Sequence, residues 1–275
     1  MAIKDILVIV DLAGERPAMK VGVDLAARTS AHLTGLCFVY QPMIPTYGMA
    51  PIPADFIASA IESARADAEA AGADFRKAAE RAGVMHEVRT TDLLAGSGFE
   101  DIDRQCRVTD LVVVGQPDPD RPEPLRMPLI ESILFDTGVP ALVVPYIGAP
   151  QFGLDRALVA WDGSATAARA IHAALPLLAM AEHVEVLMLS SGEMDEGAGT
   201  GLAKYLARHG LRTELRRTTR GDIPVADALL NFVSDNAYDW VVMGAYGHSR
   251  LREAIFGGAT RDILAEMTVP VLMMH

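Results

Sequence analysis

Short apolar runs rich in valine, leucine and isoleucine alternate along the whole chain with longer stretches whose apolar residues recur at helical spacing. Such alternation is the mark of βαβ units and of a parallel sheet covered on both faces. In the second half it predicts strands at 156–161, 184–189, 212–218, 239–243 and 269–274. Helices are predicted between them at 164–180, 197–209, 223–236 and 259–266. Five strands and four helices in that order suit an α/β, flavodoxin-like, doubly wound sheet of strand order 3-2-1-4-5 with helices on both faces. Strands 1 and 4 flank its switch point, and ligands of open α/β sheets bind beyond the carboxyl ends of such strands.

The pattern occurs twice. "KDILVIVDLAG" at 4–14 returns as "DRALVAWDGSA" at 155–165, "TDLVVVG" at 109–115 as "YDWVVMG" at 238–244, and "GVPALVVP" at 138–145 as "TVPVLMMH" at 268–275. The offsets are 151, 129 and 130 residues, and the excess in the first half is the Pro- and Met-rich insertion at 41–56. Two tandem copies of one domain are therefore expected, at 1–148 and 153–275, joined near 146–153. The insertion has two readings: a mobile lid or partner-binding segment, or a loose surface loop before a long helix at about 54–82.

Each first strand ends in an aspartate, Asp11 or Asp162, and the second copy's strand 4 ends in Gly244. If the topology holds, Asp162 and Gly244 face each other across the crevice. From Gly244 runs "GAYGHSRLREAIFGGAT", with Gly247 and then Gly257 and Gly258, and no lysine. Glycines let main-chain N–H groups reach a ligand without interference from Cβ. Thr260 can cap the helix that follows, whose unpaired N–H groups hold phosphate oxygens without a lysine.

Charge narrows the ligand. Lysine plus arginine number 24 against 36 aspartates plus glutamates, a net −12, with no basic block to attract nucleic acid or an anionic membrane. An acidic protein that binds an anion does so locally, with backbone N–H groups and helix ends. Two cysteines, Cys37 and Cys106, are too few for a disulfide framework or a cysteine-rich metal site. The N-terminus lacks a signal-peptide pattern and no run approaches a bilayer span, so a cytoplasmic location is expected.

Glycine, two residues, glycine, nine residues, glycine and a small residue, after strand 4 of such a domain, resembles the nucleotide-binding signature of the universal stress protein family. The resemblance covers the whole chain as two tandem domains, with Gly244, Gly247 and Gly257 matching the signature. It implies an adenine-nucleotide site for ATP, ADP or AMP, with or without magnesium, and a role in stress or energy-state signalling. By position it assigns Asp162 to the nucleoside and the backbone near Leu189 and Met243 to the walls around the base. Gly244, Gly247, Gly257, Gly258 and Thr260 go to the ribose and phosphates. Gly258 departs from the family's usual serine or threonine. The resemblance also implies dimers built through the terminal strands, here a pseudo-dimer of the two halves, with a homodimer as an alternative.

In the first copy Asp118 stands where Gly247 would be, among prolines that remove N–H donors, so that copy is expected to be degenerate. Asp222 is expected to cap the helix after strand 3, with Pro224 in its first turn. His248 beside Ser249 is not evidence of a nucleophile and base, and the histidines show no ligand spacing for a transition metal. Met188, Met243, Met273 and Met274 are expected to fill the core. Two alternatives stay open: a slow ATP hydrolase or adenylyl-transferring enzyme using Asp162 or His248, and a partner-binding protein that has lost nucleotide.

Overall fold

A computed structural model describes residues 2–41, 54–94, 98–121, 123–149, 152–192, 197–247 and 258–275. These divide into two compact units, Ile3–Gly115 and Gln116–His275. Residues 42–53 of the insertion at 41–56 lie outside the described residues.

The first unit holds strands β1 (Asp5–Ile9), β2 (His32–Gln41), β3 (His86–Leu94) and β4 (Leu111–Gly115), and helices α1 (Pro17–Thr29), α2 (Ala54–Arg81) and α3 (Glu100–Cys106). The strands are parallel in the order β3-β2-β1-β4. β4 is buried along its whole length, as a continuous apolar run flanked by strands and helices must be. Both thiols are buried here, and loss of hydration pushes Cys37 up to about 11 and Cys106 up to about 12.

The second unit opens with helix α4 (Arg126–Asp136) and strand β5 (Ala141–Val144). Strands β6 (Arg156–Ala160), β7 (His183–Ser190), β8 (Thr213–Thr219), β9 (Trp240–Gly244) and β10 (Val271–Met274) follow, with helices α5 (Ala165–Leu178), α6 (Thr200–Arg208), α7 (Val225–Asn236) and α8 (Ala259–Glu266). The parallel order β8-β7-β6-β9-β10 is the expected 3-2-1-4-5. Amphipathic spacing sets α5: Ala167, Ala170, Ile171, Ala174, Leu177 and Leu178 are its buried stripe, packed on β9, β10 and β6. Met243 and Met273 are buried, whereas Met188 and Met274 are half-buried.

The repeat extends to individual hydrogen bonds. Asp110 Oδ2 accepts from the N–H groups of Lys4 (2.7 Å) and Asp5 (3.1 Å), tying the start of β4 to the start of β1. Its counterpart Asp239 accepts from Arg156 N at 2.8 Å. β5 and β10, the last strands of the two sequence copies, pair antiparallel, with Val143 opposite Val271 and Leu142 opposite Leu272. The compact division thus falls at Gly115, and α4 and β5 of the first sequence copy pack within the second unit.

Candidate functional site

Pairing of Val159 with Val242 in the parallel β6–β9 ladder brings Asp162 and Gly244 to neighbouring strand ends at the switch point. Asp162 is exposed, and its Oδ1 accepts from Ser164 N at 2.9 Å, which turns the chain out of β6. Gly163 takes φ +80 in that turn. Ser164 caps α5, its Oγ accepting from Ala167 N at 3.1 Å and lying 3.0 Å from Thr166 Oγ1.

Gly244 is a glycine for a reason the sequence did not suggest. A Cβ there would lie 2.5 Å from Ala167 N and 2.7 Å from Thr166 Oγ1, so the bare backbone lets β9 close on the first turn of α5. At Gly247 a Cβ would lie 3.1 Å from Thr166 Oγ1 and 3.7 Å from Ser164 Oγ. The left-handed residue of this turn is Tyr246, φ +51; Gly244 and Gly247 lie outside that region.

Tyr246 N donates to Thr260 Oγ1 at 3.0 Å. Thr260 is therefore not the cap of α8 that its position suggested. It is buried in the first turn, and the cap residue is Gly258, whose carbonyl accepts from Arg261 N (2.8 Å) and Asp262 N (3.1 Å). The hydroxyl binds the turn after β9 because Thr260 already has helical backbone and faces inward. Asp222 is likewise not the cap of α7, where Pro224 takes that place without a side-chain bond.

Tyr246 and Gly247 thus lie between two helix starts, with Ser164 and Thr166 on one side and Thr260 on the other. The surroundings supply N–H and O–H donors and the partial positive charge of two helix N-termini, an arrangement suited to anionic oxygens. Ser164 and Thr166 were missed in the sequence, although a serine before an apolar helical run, as in "DGSATAARA", is a cap signal. Leu189 is half-buried near the end of β7, and Met243 is buried in β9. Gly257, His248 and Ser249 lie outside the described residues.

Residues 153–275 match the family model described as the universal stress protein family. Over these residues the second half of the chain is similar to universal stress proteins. Universal stress protein Slr1230 of Synechocystis sp. is 30% identical over 148 residues, which cover 52% of this chain and 49% of that protein. The chain thus spans about half the length of the curated relative it matches. A universal stress protein structure from Archaeoglobus fulgidus DSM 4304 superposes with a TM-score of 0.73 at 16% identity, over 98% of this chain and 97% of that one. The functionally unknown protein PA1789 of Pseudomonas aeruginosa PAO1 gives 0.60 at 18% identity, over 99% and 92%. At such identities the likeness is one of fold.

Beside Gly244 and Gly247 stands an ion pair joined by a phenol. Glu131 Oε1, on α4, accepts from Tyr246 Oη at 3.0 Å and from Arg261 Nε and Nη2 at 3.0 and 2.7 Å. Burial, reinforced by the Glu131 carboxylate, pushes the Tyr246 phenol up to about 12, so it stays a donor at neutral pH. At the amino end of the sheet, His183, Glu185 and Glu214 bring ligand atoms within 4.8 Å of one another. Within that grouping Glu185 Oε1 accepts from Arg216 and its Oε2 from Tyr238.

The equivalent turn in the first unit is built differently. Arg16, held at φ +50, donates from Nε to Asp11 O (2.8 Å) and from Nη2 to Leu12 O (3.0 Å), and pairs with Asp74 at 2.8 Å. A guanidinium is seated on the chain leaving β1, where the second copy has Gly163 and the Ser164 cap.

Proposed function

We propose that the domain at 153–275 binds an adenine nucleotide, ATP or its relatives ADP and AMP, at the carboxyl edge of its sheet, and that the chain acts as a cytoplasmic stress or energy-state signalling protein. The observation that carries this reading is the meeting of two helix N-termini and the Ser164, Thr166 and Thr260 hydroxyls around Tyr246 and Gly247, beside exposed Asp162. Backbone and hydroxyl donors suit phosphate oxygens and require no lysine.

In this reading Asp162 takes the nucleoside, and the backbone at Leu189 and Met243 walls the base. Gly247, Gly257, Gly258 and Thr260 serve the ribose and phosphates, with magnesium neutralising phosphate charge when it is present. Gly244 contributes by letting β9 approach α5. Arg16 on the β1 turn supports one site per chain. The antiparallel β5–β10 pair supports reading the two sequence copies, 1–148 and 153–275, as a pseudo-dimer.

Calorimetric titration of the full chain with ATP and magnesium tests the reading. Binding near one equivalent, abolished by Gly247→Glu, is the expected result, because a side chain at Gly247 enters the hydroxyl-lined gap and a carboxylate repels phosphate. Absence of both binding heat and thermal shift in the wild type would overturn it.

A further inference from the structure

One carboxylate oxygen receives three donors at the edge of this site, and it comes from outside residues 153–275. Glu131 stands on α4, which precedes β5 as α8 precedes β10, so it belongs to the first copy's counterpart of α8. Its donors, Tyr246 and Arg261, lie on the two chain segments that flank residues 248–257. Phe135, one turn further along α4, holds the Tyr246 ring at a centroid distance of 4.8 Å and His275 at 4.6 Å. Tyr246 is thereby fixed by ring and hydroxyl in a left-handed conformation that a bulky residue adopts only when its surroundings hold it there. From that position its N–H reaches Thr260 Oγ1.

The contact is reciprocal. Gln116, which follows β4 as Ala245 follows β9, is buried and donates from Nε2 to Leu264 O (2.9 Å) and Ala265 O (3.0 Å), near the end of α8. Its Oε1 accepts from Tyr146 N at 3.1 Å. The chain after the fourth strand of each copy thus grips the last helix of the other copy, as in an isologous interface.

We propose that Glu131 is a positioning residue for the nucleotide site: by accepting from Tyr246 and Arg261 together it sets the turn after β9 against the first turn of α8, and so tunes nucleotide affinity from the first copy. This inference rests on the nucleotide reading above. Any event that moves α4 then alters the site without touching the ligand, which is the condition for coupling between two places in one chain.

Two measurements on the full chain test it. The first is amide hydrogen exchange without nucleotide, in wild type and Glu131→Gln. Faster exchange at Tyr246, with β9 and β10 unchanged, is expected, because the Tyr246 N–H is protected only while the turn is held on Thr260. The second is titration with ATP and magnesium of wild type, Glu131→Gln, Arg261→Gln and the double variant. Each single change is expected to weaken binding roughly fivefold, and the double variant no more than either, since both break one joint. A merely structural role would give additive losses and faster exchange throughout the sheet. Wild-type binding with Glu131→Gln equally tight, or Tyr246 exchange unchanged, overturns the inference alone. Failure of the wild type to bind overturns the nucleotide reading and the tuning with it, while exchange still reports whether Glu131 holds the turn.

Discussion

Gly244 shows at the scale of a single residue how one atom decides an approach. A Cβ there would meet Ala167 N at 2.5 Å and the Thr166 carbonyl carbon at 2.8 Å, and backbone, unlike a side-chain tip, has no rotamer by which to retreat. Gly244→Ala is therefore expected to force β9 away from α5, with a loss of about 1–3 kcal/mol, measurable by denaturant unfolding. Unchanged stability would mean that the end of β9 gives way easily. The glycines of this stretch were readable as necessary from their spacing, but the reason was not. Spacing reports that a side chain is forbidden, and only the packed structure shows what would collide with it.

Between elements, the buried Glu185 is a joint sensitive to acid. It links β7 to Arg216 on β8 and to Tyr238 after α7. Burial acts to raise its pKa, but the donors Tyr238 and Arg216 and the nearby His183 outweigh it and hold the carboxyl below its ordinary value. A group whose pKa is depressed by folding stabilises the fold above its unfolded pKa, and this contribution is lost as pH falls through the folded value. Glu185→Gln is expected to cost roughly 2 kcal/mol at pH 7 and much less near pH 3, by unfolding titrations at both values. An equal cost at both would exclude a charge-based role. The elements were legible because apolar runs and helical spacing are local: all nine predicted in the second half are found, within a few residues at their ends. The caps were not. Asp222 and Thr260 are good capping residues, yet inward-facing Thr260 bonded the turn after β9, and Pro224 took the cap of α7. Ser164, with an ordinary cap signal, was overlooked beside the glycines.

For the molecule, the repeat predicted two tandem copies, and equivalent hydrogen bonds at Asp110 and Asp239 carry that symmetry into the structure. The interlock of α4 and β5 with the second half was less legible, since contacts such as Glu131–Arg261 span 130 residues and have no local signature. A fragment beginning at Phe152 lacks β5, which uncovers the apolar edge of β10, and lacks Glu131 as well. Such an edge recruits another strand, so the fragment is expected to self-associate more strongly than the full chain in sedimentation experiments. A folded, monomeric fragment would show that β10 needs no cover.

Arg16 bears on the shape of the response. Its guanidinium is seated on the β1 turn of the first copy and paired with Asp74, and the proposed function places one nucleotide site in each chain, in the second copy. A single site per chain has no second site with which to cooperate, so occupancy within one chain climbs hyperbolically and needs about an eightyfold rise in ligand to pass from one-tenth to nine-tenths. On that proposal the protein is a gauge read continuously over a wide range, not a trigger.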